Sequence, residues 1–274
     1  MQTSLAQHYT ALLQQRWREV LGPAAFGHDG KLLDWRLGLL PSLAGLADGQ
    51  VRGLFDPARV RQPDTAAAMA LNSFLPWREM PERLRLAAYG PFTDLRFLAR
   101  CPTGVRGTPP MLDLLAGNGA RLVAVSARGA EYLCHKPARL AAAYRSVRLP
   151  EEMAGWQSLM EALEADPGRY RHLDAVALLK HAIGLARTFP RYDLCLIYLF
   201  WEPPMADALA FHRHRAEIKS FAQTVGGASV SFSALSFDEL WTEWEAENRE
   251  PWLREMVAEL RTRYAVAIEA PTAV

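Results

Sequence analysis

The stretch GTPPMLDLLAGNGARLVAVSARGAEYL, residues 107–133, holds a single carboxylate, Asp113, in the middle of one apolar run, while Ser126 and Arg128 close the next. An aspartate facing a cationic side chain is half of a constellation for phosphodiester hydrolysis. That chemistry needs one or two hard cations such as Mg²⁺, held by carboxylates and carbonyls. A second carboxylate and a lysine are the missing half. The other reactive residues form no recognisable set. Cys101, Cys134 and Cys195 are far apart, with no CxxC and no zinc spacing, and read as reduced thiols of a cytosolic protein. His212 and His214 lie two apart on an expected helix and face different ways, which suits surface residues better than metal ligands. Gly226-Gly227 reads as a turn before a strand, and no nucleophile elbow is present.

Positioning Asp113 and Arg128 requires strands. DLRFLARC (94–101), MLDLLAG (111–117) and RLVAVSARG (121–129) are short apolar runs bounded by Gly and Pro, which is strand patterning. Gly117 to Ala120 suit a hairpin. LCLIYLFWEP (194–203) is continuously apolar, as expected of a central strand covered on both faces. ASVSFSAL (228–235) alternates like a half-exposed strand. Helices are expected over 3–20, 65–77, 80–90, 137–165 with a break near Pro150, 172–189 and 206–223. Ser236 and Glu239 make a capping box for FDELWTEWEAE, and Pro251 opens a last helix. Trp241, Trp244 and Trp252 sit at helical spacing and read as core. The order is helices, three strands, helix, strand, helix, strand, helices, which predicts an α/β fold with a mixed sheet.

The chain has 274 residues and a net charge of +1, so any nucleic-acid surface must be local. Only four basic residues are lysine (Lys31, Lys136, Lys180, Lys219), which with the abundant alanine points to a GC-rich, bacterial genome. The N-terminus MQTSLAQHYTALLQQRW has no apolar signal core, and no run approaches the roughly 18 apolar residues of a membrane span. A cytoplasmic protein without a membrane partner is expected.

In sequence order, CPTGVRGTPPMLDLL, EYL at 131–133, LLKHAIGL at 178–185, LIYLFWEP at 196–203 and SFDELWTEW at 236–244 resemble a branch of the PD-(D/E)XK, restriction-endonuclease-like superfamily. The resemblance covers about residues 65–245. It implies a restriction-endonuclease-like mixed sheet flanked by helices over 80–274, with residues 1–79 as an N-terminal helical and irregular extension. It also implies where the site would be. The first-strand acid falls on Leu98 and the second-strand Asp on Asp113. The Glu and Lys of the third strand fall on Ser126 and Arg128, on one face with the Asp. The following helix's Gln falls on Ala177. One of five positions keeps its residue.

The resemblance therefore implies a vestigial site with no metal, in a nuclease-like protein that binds nucleic acid or docks a protein within a defence or repair assembly. Arg106, Arg128, Lys136, Lys180 and His181 are the candidate nucleic-acid contacts, and HKPARLAAAYRSVR (135–148) supplies a further basic stretch whose simplest reading is a solvated helix face. The alternative is an active divergent nuclease that holds Mg²⁺ with Asp113 and a migrated carboxylate such as Glu131 or Asp94. An Asp113–Arg128 ion pair that fills the vacated metal position and lowers the Asp113 pKa is expected as well.

Overall fold

The computed structural model of the protein describes residues 5–43, 45, 53–62, 64–133, 139–247 and 250–267. Five strands, β1 (Asp94–Arg100), β2 (Met111–Gly117), β3 (Arg121–Arg128), β4 (Asp193–Phe200) and β5 (Val230–Ser236), form one mixed sheet in the order β1-β2-β3-β4-β5. The first three are an antiparallel meander. Its second turn is fixed locally: Asn118 Oδ1 accepts the Arg121 N–H at 3.0 Å, and Gly119 takes φ 83°, which costs glycine nothing. β4 runs parallel to β3, and β5 parallel to β4. Parallel neighbours need crossovers. These are α3 (Ala154–Ala165) with α4 (Ala175–Thr188), and then α5 (Leu209–Val225).

The sheet is covered on both faces, which explains the unbroken apolar run of β4. Leu194, Leu196, Tyr198 and Phe200 pack with Trp156, Leu179 and Phe221 of the crossover helices. Cys195, Ile197, Leu199 and Trp201 pack on the other side with α1 (Leu5–Leu21), α2 (Ala66–Phe74), α6 (Phe237–Glu247) and α7 (Pro251–Tyr264). The N-terminal helix is part of this second layer. Leu13 and Trp17 are fully buried, and the Tyr9 and Trp201 rings lie 3.9 Å apart. The capping box forms as expected: Ser236 Oγ accepts the Glu239 N–H at 3.2 Å, and Glu239 Oε2 accepts the Ser236 N–H at 2.5 Å. Trp241 and Trp244 are buried, whereas Trp252 is half-buried. Among the described residues no helix is long and apolar enough to cross a membrane.

Two expected helices are absent. In residues 80–90 the structure has a short 3₁₀ turn, Pro81–Arg83, and then a tight turn closed by a bridge between Leu86 and Tyr89. Leu84 and Leu86 are both buried, and burial at every second residue is satisfied by an extended segment, not by a helix. In the first half of 137–165, residues 139–153 carry only the short 3₁₀ turns Ala142–Ser146 and Glu151–Met153, and α3 begins after them. Tyr144 alone anchors the first turn, which is too little apolar surface for a longer helix. The remainder of the basic stretch, His135 to Ala138 with Lys136, lies outside the described residues.

Candidate functional site

Asp113 sits where the sheet comes apart. On one side, β1 and β2 pair at Phe97↔Leu114 and again at Ala99↔Leu112, but not between. Leu98, opposite Asp113, has φ 50°, a left-handed conformation that strains a leucine. On the other side, the β2–β3 pairing begins only at Leu114↔Val125. Beyond it, Asp113 Oδ2 accepts the Ala127 backbone N–H at 2.8 Å, so the carboxylate replaces a ladder bond. Asp113 also lines a small hollow with Leu54, Phe55, Arg59, Leu71 and Leu98.

This break corrects the expectation that Asp113 shares a face with Ser126 and Arg128. Leu112 and Leu115 pack in one layer, and Leu114 and Ala116 in the other, so strict alternation fails at Asp113. The carboxylate lies against the backbone of Ala127. Ser126 belongs to the crossover-helix layer, paired with Tyr198 across β3 and β4. It is 1% exposed, and its Oγ has no hydrogen-bond partner among the described residues.

The expected Asp113–Arg128 ion pair is also overturned. Arg128 Nη1 donates to the Ala127 carbonyl at 2.9 Å, and Nη2 donates to Asp174 Oδ2 at 3.4 Å. Burial pulls the Arg128 pKa down, but Asp174, Tyr198 and Asp113 more than offset it and hold the group protonated. The Asp113 pKa is raised, not lowered. Burial outweighs the Ala127 N–H and the more distant Arg128 and Arg59, and Glu131 adds to the rise. Arg128 instead meets the start of α4, where Asp174 lies.

Asp174 is the residue sequence reasoning missed. It is the N-cap of α4, with Oδ1 accepting the Ala177 N–H at 3.0 Å while Oδ2 meets Arg128. An aspartate just before an apolar helical run is a cap signal, so its local role was readable; its pairing with a strand 46 residues away was not. Ala177, one turn into α4, brings no functional group. Lys180 places its Nζ 5.8 Å from the Tyr144 ring centroid, and Arg106 is exposed on the loop between β1 and β2. His181 is 4% exposed, and burial and then Arg128 lower its pKa to about 3. It is neutral and offers a phosphate no charge.

The candidate carboxylates do not gather. Glu131 is exposed on the turn Ala130–Leu133 after β3, and Asp94 is paired with Arg96 at 2.8 Å. Among the described residues, no three of His, Cys, Asp and Glu converge as a metal site. His214 is buried and bonded through Nε2 to the Tyr198 hydroxyl at 2.9 Å, while His212 is exposed, so the two do not act as a pair. Cys101 and Cys195 are buried free thiols, and Cys134 lies outside the described residues. Comparison with protein-family models, curated proteins and solved structures gives no match.

Proposed function

We propose that the chain is a restriction-endonuclease-like domain without a working metal centre, which acts by binding, and that its ligand is a nucleic-acid phosphate backbone. The order of a three-stranded antiparallel meander, a helical crossover and a parallel fourth strand supports the fold assignment. The observation that carries the function is the state of Asp113. Its carboxylate is spent on the Ala127 N–H, and burial raises its pKa. The positions that would supply its partners hold Leu98, Ser126, Arg128 and Ala177. A cation as firmly hydrated as Mg²⁺ gives up water only to well-placed anionic oxygens, and neither a leucine nor a neutral hydroxyl provides one. Arg128, Arg106 and Lys180 are cationic side chains that can contact phosphates without a metal.

Fluorescence anisotropy with a labelled single strand and a labelled duplex tests this. The parent should bind at low salt, and Arg128→Glu together with Arg106→Glu should weaken binding. Equal affinity in parent and variant would overturn the nucleic-acid reading. A protein-docking role has one feature in its favour: Met205 and Leu209, on the segment leading into α5, are 64% and 61% exposed. Large exposed apolar side chains close in sequence are what a polypeptide partner would cover.

A further inference from the structure

Asp174 competes with any phosphate for the Arg128 guanidinium. The two side chains are 24% and 43% exposed and approach only to 3.4 Å, so the pair is partly open to solvent and loosely made. The other carboxylate oxygen of Asp174 is committed to the first turn of α4. The cap therefore keeps the carboxylate in place whether or not the ion pair forms. Below the pair, Ser126 Oγ and His181 Nδ1 are buried without partners among the described residues. Orphan polar groups at that depth are costly and call for a ligand or an ordered water.

We infer that Asp174 is an internal phosphate mimic: it occupies the Arg128 guanidinium in the free protein and is displaced when a nucleic-acid phosphate reaches that guanidinium. The inference rests on the nucleic-acid reading proposed above. Its physical content is a competition between two anions for one cation. A carboxylate on a capped helix end costs little entropy to hold there, and it sets a threshold that weak or non-phosphate anions do not cross. Arg128 keeps one bond, to the Ala127 carbonyl, throughout, so it is already oriented when the exchange occurs.

Asp174→Asn isolates this role, because asparagine caps a helix as well as aspartate but carries no charge. The probes are a fluorescein-labelled single strand and its duplex, titrated over a series of salt concentrations. Asp174→Asn should tighten binding by roughly fivefold, the worth of one exposed ion pair. It should also steepen the plot of log K against log salt by about 0.9 for duplex or 0.7 for single strand, because one more cation then engages the phosphates. Both effects should vanish in an Arg128→Ala background. If the parent binds but Asp174→Asn matches it in affinity and slope, or if the gain persists without Arg128, the mimic is refuted and the binding reading stands. If neither protein binds at any salt, the binding reading fails and takes this inference with it.

Discussion

Acidification to pH 5 should destabilise the protein through two buried histidines. His181 is 4% exposed in α4. His214 has no exposure, with its ring stacked 3.9 Å from Tyr132, edge-on to Phe200 and bonded to the Tyr198 hydroxyl. Burial lowers both pKa values from 6.5 to about 3, helped by Arg128 at His181 and by His172 and Arg215 at His214. Both rings are therefore neutral in the folded chain, and the unfolded chain takes up a proton on each below pH 6.5. Stability from this source is complete above about 6.5 and is lost as the pH falls toward 3. At pH 5 each histidine costs about 2 kcal/mol, so the pair costs about 4 kcal/mol. That is a large part of the roughly 5–15 kcal/mol by which domains are stable. Asp113 works in the opposite sense: its raised pKa favours the folded state as it takes its proton, so it trims the loss at the acid end. Urea unfolding at pH 7 and pH 5 measures the difference. His214→Phe should remove about half of it, whatever it does to stability at pH 7. A parent that loses less than about 1 kcal/mol between the two pH values would refute the reasoning.

Asp113→Asn keeps an acceptor for the Ala127 N–H and removes a desolvated charge, so its melting should match or exceed the parent's at pH 7; Asp113→Ala strands that N–H and should cost about 1–3 kcal/mol. Gly184→Ala should be among the most damaging single changes, read by denaturant unfolding: a Cβ there would lie 2.2 Å from the Cys101 carbonyl oxygen, where α4 crosses the end of β1, at a cost of about 3 kcal/mol. Ser236→Ala should cost about 1 kcal/mol in the same assay, by opening the capping box that starts α6.

The sheet was legible because each strand announces itself locally. The β4 run is apolar at every position, and the Asn118 turn, the Ser236–Glu239 box and Pro251 are short-range signals that tertiary packing did not override. Residues 80–90 do not form the expected helix because Leu84 and Leu86 are both buried, at a period of two. The geometry around Asp113 was not legible in the sequence. Nothing in the sequence around Leu98 marks the left-handed residue that breaks the β1–β2 pairing. That break lays Asp113 against Ala127 and away from Arg128. Asp174 was visible as a cap, but its second role depends on where α4 lands on the sheet, which only the folded chain specifies. The same holds for Tyr198 and His214, joined across β4 and α5.

The central claim is binding without metal-dependent cleavage. A single reaction series tests it: labelled single- and double-stranded DNA and RNA incubated with the protein and Mg²⁺ or Mn²⁺, with bound and cleaved fractions measured on the same samples. Bound, intact nucleic acid in every lane, with binding reduced in the Arg128→Glu, Arg106→Glu variant, is the predicted result. Metal-dependent cleavage by the parent that disappears in Asp113→Ala would contradict it and would place a working carboxylate where the structure has one bonded to Ala127.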